Sequence, residues 1–77
     1  MADPIARGEI ARQLLEDPVM DYAFRQSEDA FIKEWRSAED ITRREMAWAK
    51  VQALDEVRRM LRAVLSQGQY AALSKDR

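Results

Sequence analysis

The chain contains no cysteine and no histidine. Disulfides, thiolate zinc sites, imidazole ligands and the commonest general base are therefore excluded together, and carboxylates remain the only side chains suited to hold a metal. Glycine and proline occur twice each among 77 residues, so there is no glycine-rich phosphate loop and few places where the chain must turn. Charge of one sign is lacking too. The formal net charge is -1 although 35% of residues are charged, which argues against a strongly basic nucleic-acid binder and against an acidic tail. No apolar run approaches the roughly 20 residues of a membrane span. Met1-Ala2-Asp3-Pro4 has neither the basic nor the apolar region of a signal peptide. These absences lead to the expectation of a non-membrane, cytoplasmic protein without a bound cofactor.

What is present is helix-forming sequence with clear punctuation. Asp3-Pro4 and Asp17-Pro18 each pair an N-cap residue with a proline at the first helical position, where the missing N–H costs nothing. Pro18 also disfavours helical backbone at Asp17. Ser37-Ala38-Glu39-Asp40 has the form of a capping box, and Gly68 stands where a C-cap glycine would. The expected elements are helices over about 4–15, 18–36 and 38–67, followed by a tail over 69–77. The fold class is all-α: a short first helix, then an antiparallel hairpin of two longer ones within a single domain.

The first helix offers Ile5, Ile10, Leu14 and Leu15, interrupted by Gly8. The simpler reading of Gly8 is a weak spot costing roughly 1 kcal/mol against alanine. The sharper one is close approach of another backbone, or of a ligand, beside Arg7. In the second helix Met20, Phe24, Ser27, Phe31 and Trp35 recur at alternating four- and three-residue steps, a stripe suited to a core. In the third helix Ala47, Leu54 and Leu61 keep seven-residue intervals. Val57 and Val64 are assigned to the same seam, with Val51 and Leu65 beside it. Lys50 falls on that seam and Arg58 alongside it, where the aliphatic stem of each can pack while its charged head reaches water.

Residues 16–40 hold eight acids against three bases, and residues 41–65 hold six bases against three acids. Complementary flanks of this kind favour an antiparallel hairpin. The third helix also carries more apolar surface around its circumference than one partner can cover, with Ile41 and Trp48 on one side and Met60 and Val64 on another. A homo-oligomer is therefore expected.

For catalysis the inventory is poor. Serines 27, 37, 66 and 74 have no histidine to activate them. The acid pairs Glu28-Asp29, Glu39-Asp40 and Asp55-Glu56 are adjacent in sequence and diverge by about 100° on a helix, so they do not converge on one ion. An enzyme is not expected, nor is a catalytic, cofactor or metal site. Ten of the 13 cationic residues are arginine, which grips phosphate and carboxylate in bidentate fashion. Solvated faces and ion pairs within the chain explain most of them. The functional candidate is an anion or partner site drawn from Arg7, Arg43, Arg44, Trp48, Arg58, Arg59 and Arg62, with Met46 and Met60 as lining.

Arg7-Gly8 through Ala11, Leu14-Leu15, Asp17-Pro18, Phe24 and Trp35-Arg36 form a pattern that resembles a group of short, uncharacterised tailed-phage proteins encoded near head-assembly genes. Arg44-Glu45, Trp48, Gln52-Ala53-Leu54-Asp55, Leu61 and Gly68 continue it, so that it spans about 7–72. The resemblance implies a small helical phage protein, in the bacterial cytoplasm or associated with the virion, without enzymatic activity and without assigned ligand residues. Two functions fit that class. One is an accessory factor of head morphogenesis or packaging that docks on phage or host proteins. The other is a counter-defence protein: a short helix followed by a long helical hairpin looks like the architecture of phage sponge proteins. That resemblance implies sequestration of a cyclic-nucleotide signal between subunits, and arginine is the residue such a site would need. Direct DNA binding through the third helix is the least favoured, because its formal balance of about +3 sits beside an acidic neighbour.

Overall fold

The computed structural model describes residues 3–75, with side chains through Ser74. Three helices follow one another: α1, Pro4–Glu16; α2, Pro18–Ser37; and α3, Ile41–Lys75. The Asp-Pro signals act as the sequence suggests. The Asp3 carboxylate accepts from the Ala6 N–H at 3.0 Å, and Asp17 accepts from Val19 and Met20 at 2.8 and 2.9 Å. Each satisfies amides at the start of a helix that have no partner within it.

Two expected boundaries are corrected. Ser37 does not cap α3. Its hydroxyl bonds back to the Lys33 carbonyl at 2.8 Å and so closes α2, while Asp40 caps α3 by accepting from the Arg43 N–H at 2.8 Å. Gly68 does not end α3 either. The helix runs through it to Lys75, and no glycine has positive φ. Residues 69–75, expected as tail, are helical; the rest of that tail, 76–77, lies outside the described residues.

Both α1 and α2 pack against α3 and barely touch each other. Pro4 lies by Gly68, Gly8 by Val64 and Gly68, and Leu15 shares a cleft with Leu61; Phe24 then meets Arg58, and Trp35 meets Trp48. Rising numbers on α1 and then α2 thus meet falling numbers on α3, so both helices run antiparallel to it, end to end. The first helix is not an appendage to a hairpin but its extension. The chain is a long two-layer hairpin of 57 × 23 × 18 Å. At 1.5 Å per residue a helix of 35 residues alone spans about 52 Å, so α3 is the spine of the molecule.

The buried line along α3 is Ala47, Val51, Leu54, Arg58, Leu61, Leu65, Gly68 and Ala72, all buried or half-buried, at alternating four- and three-residue steps. This is a heptad seam, shifted from the expected one. Val51 and Leu65 lie on it rather than beside it, and Arg58 occupies a seam position. Val57 stands off it, 48% exposed, and Lys50 is an exposed flank.

Opposite the seam, α1 presents Gly8, Ala11 and Leu15, and α2 presents Met20, Phe24, Ser27 and Phe31, the second set as the sequence indicated. Continued without a break, the steps of α1 would bring Pro18, Tyr22, Arg25 and Asp29 to the seam, and all four are exposed. The kink at Asp17-Pro18 advances the phase by two residues and so turns the aromatic stripe of α2 inward.

The crossing of α1 and α3 rests on the two glycines. A Cβ at Gly8 would lie 2.8 Å from the Gly68 Cα, and one at Gly68 would lie 2.7 Å from the Gly8 Cα and 2.8 Å from the Pro4 carbonyl oxygen. The sharper reading of Gly8 holds: it admits another backbone, that of Gly68, at a distance no side chain allows.

The enclosed core is thin. Among the described residues only Ala11, Ala47 and Val51 are buried hydrophobics, and no large side chain is fully enclosed. A compact chain of 9.0 kDa would expose roughly 4,900 Å² and have a radius of gyration of about 11 Å; here the values are 6206 Å² and 16.6 Å. Among the described residues no helix is long and apolar enough to cross a membrane.

Candidate interaction surface

Because its seam is used up within the chain, α3 presents two stripes on either side of that seam, and they differ in chemistry. One residue earlier at each heptad step lie Met46, Lys50, Ala53, Val57, Met60 and Val64. The middle of this stripe is an open, almost wholly apolar groove lined by α3 residues alone: Ala53, Glu56, Val57, Met60, Leu61 and Val64. Met60 is 56% exposed. The single acid there is offset, since Arg59 donates to the Glu56 carboxylate at 2.9 Å.

One residue later at each step lie Trp48, Gln52, Asp55, Arg59 and Arg62, which with Arg58 line a second, polar groove. Four of the seven candidate ligand residues therefore share one surface: Trp48, Arg58, Arg59 and Arg62. Arg58 is committed inward. Its guanidinium meets Glu28 at 3.2 Å and lies 5.0 Å from the centre of the Phe24 ring, with the side chain 23% exposed. Pairing and ring contact together make a charge tolerable at a seam position. Trp48 rests against Trp35, ring centroids 6.0 Å apart and planes tilted by 45°. Arg62 makes no ion pair among the described residues and is the cation of this groove with its donors available.

The other three candidates lie elsewhere. Arg43 and Arg44 sit at the closed end of the hairpin. The first pairs with Asp40 at 3.6 Å and the second donates to the Ala38 carbonyl at 3.3 Å, so both fasten the turn. Arg7 is at the far end, half-buried, by Ser66, Gln67 and Tyr70. The seven do not form one site. Met46 likewise lines a cleft of the closed end, with Glu34, Ala47 and Lys50, and Met60 is on the apolar stripe, so neither joins Trp48.

Of the ten seam residues expected, Phe24, Phe31, Ala47, Val51, Leu54, Leu61, Val64 and Leu65 are buried or half-buried, whereas Trp35 and Val57 are exposed. Lys50 spans the helices, meeting Glu34 at 3.1 Å and lying 5.5 Å from the centre of the Phe31 ring. With Arg58–Glu28 it realises the complementarity of acidic α2 and basic α3. On α1, Arg12 bridges Glu9 and Glu16, and its hydrogen bond holds the exposed Glu9 carboxyl below the usual range. Among the described residues no three acids gather where a metal could bind.

Periodicity alone missed the Gly8–Gly68 contact, Ala11 as core, and the apolar stripe as a surface distinct from the seam. No protein family, curated protein or solved structure matches the chain.

Proposed function

We propose that this protein is a non-catalytic helical homo-oligomer that acts as a protein-interaction or accessory factor, in the setting its phage resemblance suggests: head morphogenesis or packaging. The observation that carries the reading is the exposed apolar stripe of α3 on a hairpin whose buried hydrophobics, among the described residues, are Ala11, Ala47 and Val51. A long rod with one unpaired greasy line is suited to lie against other helices, and apolar patches of this kind mark contacts between proteins. Its reactive groups are dispersed, and its ion pairs fasten the hairpin rather than converge on a pocket.

A second reading has one observation in its favour. The groove of Trp48, Gln52, Arg59 and Arg62 combines an aromatic face with an available guanidinium, which suits a nucleotide phosphate held where subunits meet. Native mass spectrometry of the protein taken from the cells that make it separates the two. A multimer free of small molecules supports the accessory factor, a retained nucleotide supports sequestration, and a bare 9.0 kDa monomer contradicts both.

A further inference from the structure

We infer that two copies of this chain pair antiparallel along the apolar stripe of α3, about a two-fold axis between Val57 and Met60. The inference rests on the self-association proposed above and specifies its face and direction.

Three observations carry it. The first is symmetry. Ala53, Val57, Met60 and Val64 are spaced by four, three and four residues, which reads the same in both directions. An antiparallel two-fold contact requires such a patch, because each residue must meet its symmetry-related position on the other copy. Turned end for end, the stripe sets Ala53 against Val64 and Val57 against Met60, so that a small or medium side chain always faces a larger one.

The second observation is charge, which selects the direction. Continued at the same steps, the stripe reaches Lys50 at one end and Gln67 at the other. An antiparallel copy places Lys50 opposite Gln67, whereas a parallel copy places it opposite itself and Glu56 near another Glu56. Like charges facing across helices disfavour the parallel arrangement, though only mildly, because Lys50 is paired with Glu34 and Glu56 with Arg59 within each chain.

The third is area. The chain exposes 6206 Å², about 1,300 Å² beyond the compact expectation. A stable interface of ordinary size removes about 800 Å² from each partner. One helix-long contact accounts for most of the excess. The stripe is also accessible from Ala53 to Met60, where its groove is lined by α3 alone; α1 approaches it at Val64, which is half-buried beside Gly8. The product is an antiparallel rod four helices thick, in which α3 meets its copy about 100° around the helix from the face that holds α1 and α2.

The absence of cysteine provides a direct test, because introduced thiols are the only ones present. Ala53→Cys and Val64→Cys are prepared separately, mixed, and oxidised at micromolar concentration, with light scattering of the unmodified protein alongside. Opposed positions are within reach of a disulfide and distant ones are not. The expected result is a mixed disulfide joining positions 53 and 64, several-fold in excess of either variant bonded to itself, with an unmodified mass twice 9.0 kDa. A disulfide between two copies of Ala53→Cys overturns the inference in favour of a parallel pair. No disulfide from a protein that is still multimeric also overturns it, placing the contact on another face while self-association stands. A 9.0 kDa monomer removes both.

Discussion

The two halves of the hairpin are held together by opposite means. Where α1 crosses α3, the contact is backbone on backbone: Gly8 against Gly68, with Ala11 buried beside them. Where α2 lies along α3, side chains separate the helices, and Phe24 and Phe31 are each capped by a cation that also reaches an acid on α2. The first contact depends on the absence of atoms, the second on their presence. A close backbone contact tolerates no added volume, because a helix backbone cannot move aside as a flexible side chain does. A contact spaced by long side chains adjusts, because Lys and Arg stems re-settle. The open end should therefore be brittle and the turn end forgiving.

The largest departure from this comparison would come at Gly68. Gly68→Val drives a branched side chain into the Pro4 carbonyl and the Gly8 Cα, so α1 should leave α3. Hydrogen exchange is expected to show lost protection over α1 with α2 still protected. Gly8→Ala is sharper although smaller. On an open helix surface the change stabilises by about 1 kcal/mol; here overpacking of about 1–3 kcal/mol opposes it, so a lower Tm is expected and a higher one would refute the close contact. Next is Asp17→Ala, which removes the acceptor for Val19 and Met20 at the kink. A loss of about 1 kcal/mol in denaturant unfolding is expected.

On the forgiving side, Arg58→Met should lie within about 1 kcal/mol of the parent, since an apolar side chain of similar length fills the seam without needing Glu28. Severe unfolding of that variant would mean that the guanidinium, rather than its stem, holds α2 in place. The smallest effect concerns Glu9, whose folded carboxyl titrates below its usual range through Arg12. A depressed carboxylate contributes stability that is present above the unfolded pKa and is lost as pH falls through the folded one. Glu9→Gln should therefore flatten the acid limb of the stability profile, lowering stability slightly at neutral pH and leaving it unchanged at low pH.

The same contrast explains which parts could be read from sequence. The starts of α1 and α2 and the inward stripe of α2 depend on neighbours within one or two turns, and Asp3, Asp17, Met20, Phe24 and Phe31 do what their spacing says. The role of Gly68 depends on Gly8, sixty residues away; locally, a glycine at a crossing and a glycine at a helix end look alike. The start of α3 was expected at the capping box that begins with Ser37, three residues before the observed cap. Asp40 takes the role because the Ser37 hydroxyl is already bonded back into α2.

The seam was misplaced for a related reason. Hydrophobicity ranks Val57 above Arg58, whereas the partner helix supplies Phe24 and Glu28 at the position where arginine can be housed. The arginines were the least legible part. Arg43, Arg44, Arg58 and Arg59 each find a local or cross-helix acceptor, and only folding decides which cation of the groove beside Trp48 is left without an ion pair among the described residues, here Arg62.

The central claim is that α3 spends one stripe on its own chain and keeps the next for a second copy. Equilibrium sedimentation of the parent beside Val57→Asp tests it most directly, because Val57 lies off the intramolecular seam and in the middle of the apolar stripe. The account predicts a parent of twice 9.0 kDa and a variant of 9.0 kDa with its helical signal intact. A monomeric parent, or a variant that loses its helices along with its mass, would contradict it.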